Sequence, residues 1–261
     1  RDTINIVSPR LYILTMHIRY KQTLAIWMTL LLLTACGSTK VNTAQSRFYQ
    51  SFVTRFNVFH NGNEAYKEGL SAQEKSHKDN YMEIIPLFPI SKESTCNAGS
   101  GNFDNAIEKS QKAIKLHSIK QKPKKKAGRT LSEKDKLWHA KKEYNPYLHN
   151  AWMLMGKAQF QKGEFLEAAS TFSYITRLYS EDPKIVAEAR MRMAQCYAEL
   201  EWNYEADNLL SQMGRDSIPY QLAEEYDAIM ASHLLRQEQF AEALPYLEKA
   251  EIENMTRVYD P

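Results

Sequence analysis

Beyond residue 145 the apolar positions fall three and four residues apart, the spacing that lines one face of an α-helix, and the pattern returns at a fixed interval. Ala168, Ala206 and Ala243 stand 38 and 37 residues apart, and a second column of small residues, Gly156, Ala194 and Ala231, keeps the same two intervals. Two columns with one period predict an internal repeat in which each unit is a pair of helices. In the first unit Trp152, Met155 and Gly156 belong to one helix, Gly163-Glu164-Phe165 to the turn, and Ala168 and Phe172 to the second helix. The second unit supplies Met193, Ala194, Tyr197, Ala206 and Leu210; the third supplies Met230, Ala231, Leu234, Ala243 and Leu247. The small residues let paired helices approach, and the large ones fill the space between pairs.

Upstream the pattern is less regular. Asn102 to Lys115, NFDNAIEKSQKAIK, reads as the second helix of another pair, with Ala106 and Ala113 in the small positions. Phe48, Phe52, Phe56 and Phe59, spaced by four, four and three residues, predict an amphipathic helix whose aromatic stripe packs inward. Tyr81 to Ile90, YMEIIPLFPI, carries Pro86 and Pro89, which stop a helix, so an apolar connector docking in extended form is expected. Ser91 to Gly101 reads as a polar loop and carries Cys96.

The helical pairs resemble tetratricopeptide repeats (TPR), although they run longer than the usual length of about 34 residues and Gln159 replaces the usual aromatic. The expected fold is therefore all-α: a TPR-like solenoid of helical hairpins following a signal peptide. Residues 44–114 form a helical region with a first TPR-like hairpin, 115–144 a basic linker or insertion, and 145–261 the repeats, at about 145–181, 182–218 and 219–254. Such a solenoid presents a concave groove that takes a peptide or a partner helix.

The N-terminal segment has another character. From Met16 it reads as a basic stretch (Arg19, Lys21), an apolar run from Thr23 to Ala35, then Cys36 and small polar residues. That order is a secretory signal, with Met16 the expected start and residues 1–15 an over-extension. The 13 apolar residues reach roughly 20 Å, short of the roughly 30 Å hydrocarbon core, so a membrane span is disfavoured. Leu33, Thr34, Ala35 and Cys36 resemble the lipobox of bacterial lipoproteins, which implies lipidation at Cys36 and a lipidated tether over residues 36–43. Because the last repeat has no capping helix, the natural chain is expected to continue past Pro261.

Charge separates the chain further. The net +3 is held by residues 1–35, while Lys115 to Lys142 carries 11 Lys and Arg against Glu133 and Asp135, leaving the rest of the mature chain at −9. Within that segment Lys122, Lys124, Lys125, Lys126 and Arg129 read as a solvated, mobile loop or, as the alternative, an electrostatic contact with anionic lipid or an acidic partner. No aromatic residues interleave with them from Gln121 to Arg129, so nucleic-acid binding is not expected.

Catalytic and metal-binding motifs are missing from the sequence. No catalytic residue, metal, cofactor or small-molecule substrate is expected. His149 and His233 read as partly buried polar residues, and Cys196 as a packed thiol. A bridge from Cys96 to Cys196 is the less favoured alternative.

Four strings carry a family resemblance: TRFNVFHNGNEAYKEGL (Thr54 to Leu70), KDNYMEIIPLFP (Lys78 to Pro89), AIKLHSI (Ala113 to Ile119) and NPYLHNAWMLMGKAQFQKGEFLEAASTFSYI (Asn145 to Ile175). Together they resemble the SprE/PorW lipoproteins of type IX secretion and gliding motility in Bacteroidetes. The resemblance implies a non-enzymatic scaffold that is lipid-anchored to the periplasmic face of the outer membrane and contacts other secretion-machine proteins, namely the outer-membrane translocon or periplasmic ring components. Family members are longer. Two other readings stay open: a surface glycan-binding lipoprotein with TPR-like helices, and the N-terminal adaptor of a longer enzyme.

Overall fold

A computed structural model describes residues 40–82, 84–124, 131–214 and 218–258, with backbone alone at 93–94 and 250–258. All regular secondary structure among the described residues is helical.

The first helical stretch is continuous from Ala44 to Ser76 but changes pitch midway. Thr43 caps α1 (Ala44–Val53) by accepting the Ser46 amide, a π-helical turn covers Thr54–Phe59, and α2 (His60–Ser76) follows without a break. The Thr54 hydroxyl donates to the Gln50 carbonyl at 2.6 Å, a side-chain intrusion of the kind that accompanies local departures from α geometry. Gly62, Ala65, Gly69 and Gln73 form the buried face of α2. Gly62, Ala65 and Gly69 pack against Phe103, Ala106 and Lys109 of the helix Ser100–His117. Small residues on both sides let the axes approach closely.

Between these two partners the chain makes a long excursion. Pro86 and Pro89 withhold two amides, and a 3-10 turn (Pro89–Ser91) and the four-residue α3 (Glu93–Cys96) lead into α4 (Ser100–His117). Ile90, 1% exposed, and Phe88 enter a core shared with Met153, Phe160 and Cys196. The connector expected to dock along its length docks only at this end: Tyr81, Met82, Ile84, Ile85 and Leu87 stay exposed. The expected polar loop, Ser91–Gly101, in fact holds α3 and the first turn of α4.

A second excursion separates α4 from the regular hairpins. It includes α5 (Glu133–Ala140), capped by Ser132, so the expected basic linker is partly helical. Its base is closed by Glu143, whose carboxylate accepts the amides of Ile119, Tyr144 and Asn145 and the hydroxyl of Ser118.

Three further hairpins follow: α6 (Leu148–Gln161) with α7 (Phe165–Leu178), α8 (Pro183–Glu199) with α9 (Asn203–Met213), and α10 (Tyr220–Arg236) with α11 (Phe240–Val258). Asp182 caps α8 by accepting the Lys184 and Ile185 amides, and Pro183 at the first position needs no donor there. Each hairpin turn has one left-handed residue: Gly163 (φ 84°), Glu201 (φ 59°) and Glu238 (φ 59°). The next amide reaches back five residues each time, Glu164 to Gln159, Trp202 to Tyr197 and Gln239 to Leu234, at 2.9 to 3.0 Å. This is the Schellman closure of a helix C-terminus, and it keeps the intervals of 38 and 37 seen in the alanine columns.

The pair α2/α4 shares a ring contact with the hairpin α6/α7 despite its long connection. Tyr66 lies 5.8 Å from Phe103, as Phe160 lies 5.2 Å from Phe165, centroid to centroid. One offset of 94 residues relates Tyr66 to Phe160 and Gly62 to Gly156, and one of 62 relates Phe103 to Phe165 and Ala106 to Ala168. A fourth hairpin is thus built from segments that a 23-residue excursion, residues 77–99, holds apart in sequence.

Candidate interaction surfaces

The first helices of the four hairpins, α2, α6, α8 and α10, line a groove of about 480 Å³. Its walls carry Asn63 and Tyr66, then His149, Met153 and Lys157, then Ile185 and Glu188, and finally Gln221 and Leu222. Ion pairs bridge successive first helices: Lys157 to Glu188 at 2.8 Å, Arg192 to Glu225, and Arg236 to Glu199 at 2.6 Å. These pairs tie hairpin to hairpin, the first of them in the groove wall, and Glu199 also accepts the Ser91 hydroxyl at 2.7 Å. The first excursion is thereby tied to the second and third regular hairpins.

His149 was expected to be a partly buried polar residue; it is half-buried and forms part of the groove wall. Burial lowers its pKa below the usual imidazole value, against a Pro146 backbone hydrogen bond and the nearby Asp182 and Glu188, which raise it. His233 is fully buried instead, 1% exposed, with Nε2 2.7 Å from Asp207 Oδ1. The groove itself was not legible from the sequence. The opposite charges of Lys157 and Glu188 on successive first helices are the signal that marks it.

The residues assigned to repeat packing are distributed as follows. Gly156 faces the Phe172 ring, and Ala168, Phe172, Ala194, Ala206, Ala231 and Ala243 are all fully buried. Trp152 is partly buried with its ring centroid 4.7 Å from that of Tyr174, and Tyr197 stacks on Trp202 at 5.5 Å.

The aromatic stripe is turned the other way from the expectation. Phe48, Phe52 and Phe56 are exposed, and only Phe59 packs, edge-on to Tyr147 at 5.3 Å. Gln50, Thr54 and Val58 are buried in their place. The polar pair is satisfied from a distance: His117 Nδ1 meets Gln50 Oε1 at 2.5 Å, and Asn145 Nδ2 donates to Thr54 Oγ1 at 3.1 Å. A buried polar face with its partners in place outcompetes an aromatic face that finds no pocket.

Of the basic cluster, Lys122 and Lys124 are exposed, while Lys125, Lys126 and Arg129 lie outside the described residues. So do Cys36 and the lipobox residues Leu33, Thr34 and Ala35.

Cys96 and Cys196 are free thiols rather than a bridge. Burial pushes the Cys196 thiol far above its ordinary pKa, which suppresses the reactive thiolate. Among the described residues no group of three or more His, Cys, Asp and Glu side chains could hold a metal ion. Among the same residues no helix is long and apolar enough to cross a membrane.

No protein-family model matches the chain, and no curated protein matches it significantly.

Proposed function

We propose that this chain is a non-enzymatic scaffold lipoprotein that supports protein secretion through its helical hairpins, which we read as TPR-like repeats forming a solenoid. The observation that carries the reading is the groove lined by the first helices of four hairpins among the described residues, with Lys157 and Glu188 paired across two of them in the groove wall. A surface built this way recognises an extended peptide or a helix and leaves chemistry to its partners. The recurring Schellman turns and the Gly62/Gly156 and Tyr66/Phe160 correspondences support the repeat reading.

The location rests on sequence. The apolar run before Cys36 reads as a signal peptide, and the lipobox-like residues make Cys36 the anchor. Gly37 follows the cysteine, where an aspartate would retain a lipoprotein in the inner membrane, and Gly37-Ser38-Thr39-Lys40 lacks the acidic pair linked with surface display. We therefore assign the protein to the periplasmic face of the outer membrane. The resemblance to SprE/PorW lipoproteins assigns it to type IX secretion and gliding motility, with translocon or periplasmic ring components as partners.

Crosslinking in intact cells tests this reading. Recovery of outer-membrane secretion components is the expected result, and a charge reversal at Lys157 in the groove should weaken it. Recovery of polysaccharide or peptidoglycan alone, or removal of the protein by proteases applied to whole cells, would overturn it.

A further inference from the structure

The outward face of α1 and of the π-helical turn after it carries an aromatic surface that the described hairpins do not use. Phe48, Phe52 and Phe56 are 74%, 52% and 57% exposed, and their rings run in series with centroids 6.3 and 4.8 Å apart. Exposing three phenylalanines in a row is costly in water, and contiguous patches of this kind mark interaction sites.

The charges around the patch narrow the choice of partner. From Lys40 to Asn63 the sequence contains no acidic residue, although the mature chain outside the basic segment sums to −9. The Arg55 guanidinium lies 5.1 Å from the centre of the Phe56 ring, and that of Arg47 lies 5.0 Å from the Trp138 ring. Asn42 Nδ2 donates to the Gln121 carbonyl at 2.7 Å. That bond brings the exposed Lys120, Lys122 and Lys124 to the start of the same helix. Aromatic rings on one face, cations beside them and no carboxylate within the helix itself form the pattern of a helix that lies in a membrane interface. The rings enter the acyl boundary there, and Arg and Lys reach the headgroups.

The geometry points to an anionic phospholipid surface as the occupant of this face. The helix lies flat on the bilayer, with Phe48, Phe52 and Phe56 inserted and Arg47, Arg55 and the Lys120–Lys124 strand on the headgroup phosphates. The inference rests on the membrane location proposed above. Cys36 lies eight residues before Ala44, so a lipid there would hold α1 within roughly 28 Å of the bilayer by chain length alone. A single weak contact then becomes effectively intramolecular.

The test uses the full chain, processed in a host that lipidates it and reconstituted in phosphatidylglycerol vesicles containing a phospholipid with a photoactivatable diazirine on its acyl chain. After illumination, lipid adducts should concentrate on the tryptic peptides Phe48–Arg55 and Phe56–Lys67. They should fall about tenfold in the combined variant Phe48→Ser, Phe52→Ser, Phe56→Ser and severalfold in phosphatidylcholine vesicles. Unchanged helical circular dichroism in that variant separates lost contact from lost fold. Adducts confined to the lipidated N-terminal peptide would overturn the inference. Equal labelling in neutral lipid would do the same, and so would a photo-crosslinker at position 52 that captured protein in cells. Palmitate labelling of Cys36 is read in parallel. Its absence would remove the anchor, while the adduct map still decides whether α1 meets lipid.

Discussion

The Glu143 carboxylate accepts the Ile119 amide at 2.8 Å, although the two residues are 24 positions apart in sequence. The same oxygen takes the Asn145 amide at 2.8 Å, and the other oxygen takes the Ser118 hydroxyl at 2.5 Å. Glu143 is 5% exposed and Ile119 fully buried, so these bonds close the basic excursion at its base, away from water. Replacing Glu143 by Ala orphans the Ile119 and Asn145 amides, since Tyr144 keeps a partner in its bond to the Ile119 carbonyl. Two buried donors without acceptors cost about 3 kcal/mol. Urea unfolding should show that loss for Glu143→Ala and a smaller one for Glu143→Gln, which keeps an acceptor. Equal midpoints for Glu143→Ala and wild type would exclude the clip as a stabilising element.

A methyl group at Gly156 would stand 2.6 Å from Phe172 Cε1 and 2.7 Å from Cζ. Phe172 is fully buried, so its ring cannot swing into solvent. Overpacking of this kind costs about 1–3 kcal/mol, and the helical preference of Ala over Gly returns up to about 1 kcal/mol. Thermal unfolding of Gly156→Ala should therefore show a net loss of about 1–2 kcal/mol. The shorter Phe172→Leu should make the second change partly compensatory. Simple additivity in the double mutant would show that the two side chains do not meet.

The hairpin turns predict the opposite sign. Glu201 and Glu238 occupy left-handed backbone that Gly163 adopts without a Cβ penalty. Left-handed geometry costs a non-glycine residue about 1–2 kcal/mol, and glycine's greater unfolded-state freedom takes part of that back. Glu201→Gly and Glu238→Gly should each stabilise the protein by about 0.5–1 kcal/mol. Gly163→Ala should destabilise it, and a Glu-to-Gly change that lowered the melting temperature would contradict the turn assignment.

These turns also show where the sequence could be read and where it could not. The alanine columns were legible because crossing helices constrain side-chain size, and size is visible in the letters. The turn register was legible only at Gly163, since Glu in a left-handed position leaves no mark in composition. The stripe Phe48-Phe52-Phe56 is legible as one helix face, but the side to which that face turns is not. Its burial is decided by His117 and Asn145, which meet the opposite face from 67 and 91 residues away. Local periodicity cannot register partners that distant. The first hairpin was half visible for a similar reason: Phe103 and Ala106 have the spacing of Phe165 and Ala168, but Gly62 and Tyr66 lie beyond an excursion of 23 residues. The candidate groove was the least legible feature, because it exists only once four first helices stand side by side.

His117 and His149 set the expected pH dependence. Burial is the leading cause for both, and it holds each imidazole below the ordinary value of 6.5. His117 ends α4, where the helix dipole favours a cation, and its Nδ1 lies 2.5 Å from Gln50 Oε1, yet desolvation prevails. A base whose folded pKa is depressed binds its proton more readily in the unfolded chain. Stability is then fully present above the unfolded value and is lost as pH falls from about 6.5 toward the folded values, with solvent screening reducing the share of the partly exposed His117. Equilibrium unfolding between pH 7.5 and pH 5 should show this fall, and His149→Gln should flatten part of it. Because His149 forms part of the groove wall, a ligand that keeps its ring neutral should bind less tightly at the acid end of that range. A stability profile unchanged by replacing both histidines would show that they are solvated, and would remove the burial argument on which the pH dependence of the groove depends.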